Sequence, residues 1–381
     1  MKKIFISEPF FDKKDSKILS NCIKEGFVTF GDNIKKFESK ISQFTGSQYC
    51  LICINGTSAL QVALKVLGLK ADEEVLAPSM TFVATINAIL YNNAKPVFMD
   101  CENDLNIDTK KVIKFLKTQT YISKGITFNK KTKKRIRAII IAHMYGNLAN
   151  INDLKTICKK MRIKILEDAA ESLGSFYNSG QHSGTLGDIG CFSFNGNKII
   201  TSGGGGALIS SNKKYIESAK KLINQSRSPS IEYIHSELGY NYRISNLHAA
   251  LGYSQLSKIK KFLKIKKRIY QEYLNGLRFF KNFELIKNNK ISVSNNWINI
   301  IKIKGSKIKK KSIFKEFRKH NIELRPIWYP VNEQKYCKNF QSFEVNNTKL
   351  LHKKSFCLPS SVSLTKKNIT KILKLLKKYE N

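Results

Sequence analysis

The sequence predicts an α/β fold in which a mostly parallel, seven-stranded sheet lies between helices and is followed by a smaller C-terminal α+β domain. Short apolar runs alternate with amphipathic stretches between residues 48 and 210, a pattern typical of parallel strands covered on both faces by helices. After Gly206 this alternation ends, and long helical stretches with isolated strands follow. A chain of 381 residues is long enough for two domains.

Seven runs of apolar residues are the predicted strands. They are Gln48–Asn55, Glu74–Ala77, Pro96–Asp100, Ala138–His143, Lys164–Glu167, Gly190–Phe194 and Ala207–Ser210. Apolar residues at three-and-four spacing predict the helices between them, at Ser58–Leu67, Phe82–Asn92, Asp108–Lys117 and Asn152–Met161. Ligands in such sheets bind beyond the carboxyl ends of the strands, so the residues there are the first candidates for a site.

The second half of the chain predicts longer helices and fewer strands. The helices are expected over Lys213–Gln225, from Leu247 to about Leu277, and near Lys310–His320 and Lys366–Lys378. Strands are expected near Trp297–Ile303 and Glu323–Trp328, and the basic stretch Ser123–Lys134 is interpreted as a surface insertion. We therefore divide the chain into a large domain over residues 1–250 and a small C-terminal domain over residues 251–381.

Composition excludes several classes of protein. No apolar run reaches the roughly 18–20 residues of a membrane helix, and the first residues lack a signal peptide's apolar region, so we expect a cytoplasmic protein without a membrane partner. Cys50 and Cys53 form a C-x-x-C, but they lie within a strand pattern and no second pair follows at zinc spacing. With eight scattered cysteines and six dispersed histidines, we expect reduced core thiols and no metal site.

The net charge of +39 comes mainly from lysines spread along the whole chain, with local peaks at Lys130–Arg137, Lys258–Arg268 and Lys307–Lys311. No aromatic-interleaved patch or nucleic-acid-binding motif accompanies them, so we interpret the lysines as solvating exposed helix faces and expect no nucleic-acid partner. A positive surface also attracts anionic substrates such as nucleotide sugars.

The segment GDIGCFSFNGNK presents Lys198 directly after an apolar strand and a polar turn. A lysine in this position can lose part of its hydration, which lowers its pKa and suits it to Schiff-base chemistry. Taken alone, the same pattern also fits one surface lysine among many.

Two further motifs support a site at this edge of the sheet. Asp168 ends the apolar strand of KILEDAAES, where a carboxylate needs a cation such as a protonated pyridine nitrogen; a helix cap or turn is the alternative. Gly56, Thr57 and Ser58 lie between a strand and a helix, an arrangement that aims backbone N–H groups at a phosphate. An ordinary strand–helix turn capped by Thr57 or Ser58 is the alternative there. The run Gly203–Gly206 precedes a strand and is not a P-loop.

These motifs together resemble a known family. NGTSAL, EDAAES, CFSFNGNK, GGGGAL and GYNYRISNLHAALG, in this order, are similar to the DegT, DnrJ, EryC1 and StrS sugar aminotransferases over about Ile6 to Ser361. The resemblance implies the fold-type-I aminotransferase architecture and pyridoxal 5'-phosphate as cofactor. FSFNGNK, IELRPIW and LPSS look most like the branch that aminates C4 of UDP-4-keto-6-deoxy-N-acetylhexosamines for bacillosamine and legionaminic acid synthesis.

Carried over to this sequence, the resemblance assigns Lys198 to covalent attachment of the cofactor and to proton transfer. Asp168 would pair with the pyridine nitrogen, and Glu171, where family members often carry His or Gln, would lie near the phenolic oxygen. The cofactor's phosphate would be held by Gly56, Thr57, Ser58 and Ser193.

The remaining implied roles concern the ring face, a partner subunit and the substrate. Phe82 would stack on the cofactor ring, although its spacing alone also fits a helix-core aromatic. Asn241 would reach the phosphate bound by the neighbouring subunit, which implies a homodimer with shared active sites. Candidate sugar-nucleotide contacts, each equally compatible with a packing or surface role, are His182, Arg243, Arg325 and Trp328.

The predicted function is transfer of an amino group, with glutamate as the expected donor, to the 4-keto group of a UDP-linked sugar for bacterial surface-glycan synthesis. The alternatives are a sugar aminotransferase acting on a 3-keto or a GDP- or dTDP-linked sugar, and a non-catalytic basic binding protein. The family's dehydratases replace the lysine by histidine, so Lys198 argues against that activity.

Overall fold

The computed structural model describes residues 3–380, so the outer limits of the two expected domains, residues 1–2 and 381, lie outside the described residues. Its α-helices are α1 (Lys13–Lys24), α2 (Asp32–Thr45), α3 (Gly56–Val66), α4 (Val83–Leu90), α5 (Thr109–Thr118), α6 (Asn152–Lys160), α7 (Lys213–Ile223), α8 (Asn246–Leu256), α9 (Ile259–Gly276), α10 (Lys310–Lys319), α11 (Asn347–Lys354) and α12 (Lys366–Lys377).

The strands of the first half are β1 (Tyr49–Cys53), β2 (Glu74–Pro78), β3 (Lys95–Met99), β4 (Thr120–Ser123), β5 (Ile126–Asn129), β6 (Ile136–Ala142), β7 (Lys164–Asp168), β8 (Phe176–Tyr177), β9 (Ile189–Ser193) and β10 (Gly206–Ser210). The later strands are β11 (Phe283–Leu285), β12 (Ser292–Val293), β13 (Asn299–Ile303), β14 (Arg325–Pro326), β15 (Ser342–Phe343) and β16 (Ser355–Leu358). All seven strands predicted for the large sheet are present, each with its ends shifted by no more than two residues.

The large sheet has the order β1-β10-β9-β7-β6-β2-β3-β15. Only β10 runs against the others, since it pairs antiparallel with both β1 and β9, whereas the remaining pairings are parallel. The sheet therefore has eight strands rather than the predicted seven. The extra strand, β15, contains two residues, which is too short for apolar periodicity to reveal it.

Helices cover both faces of this sheet. On one face, α3, α4 and α7 bury apolar side chains against the strands, and on the other α5 and α6 do the same. Helices α2 and α8 add a further core over β1, β9 and β10. Gly252 of α8 allows the close approach to α2, because a Cβ there would lie 2.4 Å from the ring of Phe37. The parallel strands thus present their carboxyl ends at one uncovered edge.

The C-terminal part forms a second sheet, of order β11-β13-β16-β14, which packs with α9, α10 and α12. The expected division at residues 250 and 251 falls inside α8, which packs on α1 and α2 of the large-sheet region. The predicted helix Leu247–Leu277 is also two helices, because the chain turns between Leu256 and Ile259. A domain boundary after α8 is consistent with this packing.

Three local expectations are refined. The strand expected over Glu323–Trp328 is reduced to β14, Arg325–Pro326, and before it the N–H of Glu323 donates to the carbonyl of Ile4 at 2.9 Å. The basic stretch Ser123–Lys134 lies in the antiparallel hairpin of β4 and β5. None of the described helices combines the length and apolar character needed to cross a lipid bilayer.

Candidate functional site

A cavity of about 270 Å3 lies at the carboxyl ends of the parallel strands, where the fold predicts a ligand. It is lined by side chains that follow β1, β2, β6, β7 and β9, together with one residue of the C-terminal part, Trp328. Eight of the predicted site residues lie in its wall: Gly56, Thr57, Phe82, Asp168, Glu171, Ser193, Lys198 and Trp328. The fold therefore gathers these separate motifs into one site.

A wider surface groove of about 800 Å3 lies at the opposite edge of the sheet, near the starts of β6 and β7. Its basic side chains are partly neutralised, since Arg137 pairs with Glu73 at 2.8 Å and Lys164 pairs with Asp188 at 2.8 Å. Because the catalytic motifs predicted from the sequence lie elsewhere, we assign no chemistry to this groove.

Lys198 projects from the turn that follows β9, a turn closed by the hydrogen bond from the Lys198 N–H to the carbonyl of Asn195 (3.0 Å). Its side chain is only 11% exposed, and its Nζ lies 3.8 Å from Oε1 of Glu171 and 4.2 Å from the ring centroid of Trp297. Burial lowers the pKa of Lys198 below its ordinary value, while Glu171 and Asp168 oppose that shift. A lysine with a lowered pKa is a better nucleophile and proton carrier.

Asp168 ends β7 and points both carboxylate oxygens at hydrogen-bond donors. Oδ2 accepts from the hydroxyl of Thr85 at 2.6 Å, and Oδ1 accepts from the N–H of Ala170 at 3.2 Å. Thr85 is in turn 2.7 Å from the hydroxyl of Thr81. Thr85 was not among the predicted site residues, although its position one helical turn after Phe82, in TFVATINAI, was an available signal.

Glu171 joins the large-sheet region to the C-terminal part at the cavity wall. Its Oε2 accepts from the backbone N–H of Tyr145 at 2.7 Å, and its Oε1 accepts from the indole N–H of Trp328 at 3.2 Å. Burial raises the pKa of Glu171, whereas the nearby Lys198 lowers it. Glu171 is therefore a carboxyl group held between a cation and two neutral donors.

Tyr145 adopts a left-handed backbone conformation (φ 54°), which costs a non-glycine residue about 1–2 kcal/mol. The following residue, Gly146, also has a positive φ of 95°, and a Cβ there would lie 1.9 Å from Oδ1 of Asn295. This sharp turn directs the Tyr145 N–H at Glu171 and places its ring against Trp297 and Trp328. Backbone strain of this kind is characteristic of functional sites.

Four aromatic rings from distant segments form one cluster, of which Phe82 and Trp328 line the cavity. Tyr145 stacks on Trp297 (centroids 6.1 Å apart) and on Trp328 (5.8 Å), and Trp328 contacts Phe82 at 4.9 Å. Phe82 is 47% exposed and caps α4 rather than lying within it, so it is not a helix-core residue. Trp297 and Tyr145 were not among the predicted site residues, because their sequence positions carry no local motif.

The start of α3 faces the cavity with Gly56 and Thr57. The helix cap is Asn55, whose side chain accepts from the N–H of Ser58 at 2.8 Å, and not Thr57 or Ser58 as the sequence allowed. Ser58 is buried and is not among the residues that line the cavity, so its predicted phosphate contact stays a prediction. A Cβ at Gly56 would lie 2.8 Å from the Cβ of Ser193, so glycine is required for this close approach.

The structure does not bring His182 to the cavity. Its ring is buried, Nε2 accepts from the N–H of Gly174 at 2.7 Å, and Nδ1 lies 2.6 Å from the carbonyl oxygen of Ser183. Burial lowers the pKa of His182 to about 4, so the ring is neutral at physiological pH. Both nitrogens are engaged, which contradicts the expectation of a sugar-nucleotide contact; His182 packs the core instead.

Three other predicted residues lie on the surface of the single chain, outside the cavity wall. Asn241 and Arg243 are exposed after α7, with the Arg243 guanidinium 4.7 Å from the ring centroid of Phe30. Arg325, on β14, is exposed and pairs with Glu323 at 2.7 Å. In one chain, therefore, only Trp328 of the expected sugar-nucleotide contacts reaches the cavity.

The sequence pattern of the DegT/DnrJ/EryC1/StrS aminotransferase family matches residues 9–377. EpsN of Bacillus subtilis (strain 168), whose name assigns it provisionally to the pyridoxal phosphate-dependent aminotransferases, is 32% identical over 98% of this chain and 95% of its own length. A GDP-perosamine synthase of Vibrio cholerae is 30% identical over 99% of both chains. A UDP-4-amino-4,6-dideoxy-N-acetyl-beta-L-altrosamine transaminase of Campylobacter jejuni (strain 81-176) is 32% identical over 90% of this chain and 80% of its own.

Solved structures share the fold. The Helicobacter pylori aminotransferase PseC, described as involved in the biosynthesis of pseudoaminic acid, superimposes with a TM-score of 0.89. It is 24% identical, and the match covers 100% of this chain and 99% of that one. The predicted α/β architecture of this class of enzyme is thereby confirmed.

Proposed function

This chain belongs to the DegT/DnrJ/EryC1/StrS aminotransferase family, and we propose that it transfers an amino group to the 4-keto group of a UDP-4-keto-6-deoxy-N-acetylhexosamine. The coarser activity, that of a pyridoxal 5'-phosphate-dependent sugar aminotransferase, follows from the family and its relatives. Glutamate is the proposed amino donor, and bacterial surface-glycan synthesis is the proposed context.

The cavity residues fit this cofactor by the chemistry of their donor set. Lys198 supplies a partly desolvated amine for the aldehyde, and Asp168 supplies a carboxylate for the ring nitrogen. For the phosphate, the first turn of α3 offers N–H groups without intrahelical acceptors, and Gly56 lets this turn lie against Ser193, where a Cβ would come within 2.8 Å of the Ser193 Cβ. Thr57 and Ser193 complete this part of the wall.

Pyridoxal 5'-phosphate supplies an aldehyde that binds amines covalently and a ring that withdraws electrons from the bond being broken. We assign proton transfer at the reacting carbon to Nζ of Lys198, because burial lowers its pKa and so makes the ammonium easier to deprotonate. Asp168, held by Thr85, is assigned to the ring nitrogen, where a carboxylate stabilises positive charge. Phe82 is assigned to the face of the cofactor ring, and Trp328 to the bound sugar nucleotide.

One observation carries this proposal: Lys198, Glu171 and Asp168 line the same cavity, and both carboxylates act on the pKa of the lysine. A pair of groups with opposed pKa shifts at the end of parallel strands is the arrangement expected for acid–base chemistry. A non-catalytic binding protein does not require a desolvated lysine beside two carboxylates.

The UDP-linked 4-keto sugar is supported by the Campylobacter jejuni relative, whose name states a UDP-linked 4-amino sugar. A GDP-linked sugar is the second candidate, favoured by one specific observation. The Vibrio cholerae GDP-perosamine synthase matches this chain over 99% of both lengths, a fuller match than the 90% and 80% of the UDP-sugar relative.

We also propose a homodimer whose partner subunit brings Asn241 to the phosphate. Large apolar side chains are exposed in two segments of the single chain, as expected of a surface that a second copy covers. They are Phe27, Val28 and Phe30 before α2, and Ile231, Tyr233, Ile234 and Leu238 in the loop before Asn241. Arg243 and Arg325 are proposed to contact the sugar nucleotide only in such an assembly.

The test is a coupled assay of the purified protein with glutamate and a panel of UDP-, GDP- and dTDP-linked sugars carrying a 3- or 4-keto group. We expect amination at C4 of the UDP-linked N-acetylated sugar, identified by NMR of the product. A preference for the GDP-linked sugar supports the second candidate, and amination at C3 contradicts both. The Lys198→Ala variant supplies the background rate.

A further inference from the structure

Lys266, in the middle of α9, is a buried lysine that the chemistry above does not use. Its residue is only 2% exposed, and its ammonium donates to the carbonyl oxygen of Trp297 at 2.8 Å and to the carbonyl oxygen of Ser360. Within the described chain no carboxylate lies at ion-pair distance from it, and desolvation is the one cause acting on its pKa. A cation buried without a counter-ion lowers stability, so packing alone does not account for this residue.

Trp297 connects Lys266 to the reacting lysine. The backbone carbonyl of Trp297 accepts from Lys266, while its indole N–H donates to the carbonyl of Asn197 at 2.7 Å. The same ring lies against Lys198, with Nζ 4.2 Å from the ring centroid. Two points on the Trp297 residue are thus fixed, one by α9 and the other by the turn that carries Lys198.

Lys266 and Lys198 also line one narrow crevice, which is separate from the main cavity and includes no residue of α3. Among the described residues that line the crevice, the titratable ones besides Lys266 are Glu8 of the N-terminal segment and Lys198 of the turn after β9. The neighbours from α8 and α9, Gln255 and Phe262, carry no charge. Burial lowers the pKa of Lys266 to about 7.

We propose that Lys266 is a positioning residue that fixes Trp297 and, through its ring, the orientation of the Lys198 amine. The inference rests on the proposed role of Lys198 as the reacting lysine. Because Lys266 makes no contact with the main cavity, its loss should leave substrate binding intact and disturb the alignment of the amine. Small misplacements of a reacting group lower rates by up to about 100-fold.

The first test uses the fluorescence of the cofactor-free protein. The chain contains two tryptophans, so a Trp328→Phe background leaves Trp297 as the single indole. In that background, Lys266→Met should shift the emission to longer wavelength and increase quenching by acrylamide, since the ring is no longer held. Lys267→Met, at the exposed neighbouring position on the same helix, is the matched control and should change neither. Unchanged emission and quenching in Lys266→Met overturn the proposal.

A pH titration keeps the proposal testable if Lys266→Met does not fold. In the Trp328→Phe protein, Trp297 emission should change with a midpoint near pH 7, as the Lys266 ammonium loses its proton and its charge-assisted hydrogen bonds weaken. The transition should persist in Trp328→Phe/Lys198→Ala. Its absence, or its disappearance when Lys198 is replaced, overturns the proposal.

Steady-state kinetics on Trp328-containing protein separate this inference from the proposed function. Lys266→Met should lower kcat by roughly 10- to 100-fold with KM within about twofold, whereas Lys267→Met should match the wild type. A wild-type protein that aminates none of the sugars contradicts the proposed function while leaving the fluorescence tests decisive. An active enzyme whose kcat is unchanged in Lys266→Met contradicts the positioning role alone.

Discussion

Nζ of Lys198 lies 3.8 Å from Oε1 of Glu171, and because both side chains are buried, each group acts on the protonation of the other. Burial lowers the pKa of the lysine and raises that of the carboxyl group, and the attraction between them opposes both shifts. The lysine therefore holds its proton more firmly, and the carboxyl group holds its proton less firmly, than either group would if it were buried alone. This balance suits a lysine that must exchange protons during turnover.

Replacing Lys198 by alanine should abolish amination, because no other described lysine lines the main cavity. The same variant should also lose the visible absorbance that borohydride bleaches in the wild-type protein after loading with cofactor. Lys164→Ala, at the opposite edge of the sheet, is the control and should retain both signals. Turnover at the wild-type rate in Lys198→Ala refutes the catalytic assignment.

Glu171→Gln should lower the pKa of Lys198 further, because the carboxylate that stabilises the lysine's charge is removed while the burial remains. The measurement is the rate at which an amine-reactive reagent modifies Lys198 in cofactor-free protein, followed by mass spectrometry across pH. The midpoint of that profile should move to lower pH. Glu217→Gln, which removes a carboxylate from an exposed pair with Lys213, is the control and should leave the midpoint unchanged. A shift of the midpoint to higher pH in Glu171→Gln contradicts the role of Glu171 in stabilising the charge of Lys198.

Thr85→Val should weaken cofactor binding, since Asp168 loses a 2.6 Å hydrogen bond that holds its carboxylate in place. Hydrogen bonds to charged groups contribute about 1.5–3 kcal/mol, so the dissociation constant should rise roughly 10- to 100-fold. Equilibrium dialysis with pyridoxal 5'-phosphate measures it. The matched control is Thr370→Val on the exposed face of α12, and equal affinities in the two variants contradict the role of Thr85.

Local patterns predicted the sheet and the chemical groups at its carboxyl edge, since strand runs, Lys198, Asp168 and the NGTS turn are each readable within a few residues. The aromatic cluster beside the cavity could not be predicted in this way. Trp297 and the Asn197 carbonyl that it binds are 100 positions apart, so only the folded chain reveals the contact. The prediction for His182 was wrong for the opposite reason. Its residue type suits ligand binding, but the ring is buried and both of its nitrogens already have hydrogen-bond partners nearby in the chain.

Lys266 should make stability depend on pH in a defined direction. Its pKa falls from an unfolded value of about 10.4 to about 7 in the folded chain, so both states carry the proton below pH 7. Between these values the unfolded chain holds a proton that the folded chain lacks, and the free energy of unfolding rises with pH. Denaturant titrations should show that the free energy of unfolding of the wild type, relative to that of Lys266→Met, increases by at most about 1.4 kcal/mol per pH unit in this window. A difference that is flat or falls with pH contradicts the buried, desolvated lysine.

Asn241 tests whether two chains share each site. A subunit carrying Lys198→Ala keeps a normal Asn241, and a subunit carrying Asn241→Asp keeps a normal Lys198 while its new charge repels the phosphate. If Asn241 serves the partner's site, each mixed dimer contains one site with both native residues. Equal mixtures of the two inactive variants, after subunit exchange, should then regain roughly a quarter of wild-type activity. If Asn241 serves its own chain, every site in the mixture carries one defect and no activity returns. Size-exclusion chromatography with light scattering establishes that both variants remain dimers, so a failure to recover activity cannot be ascribed to dissociation and counts against the shared site.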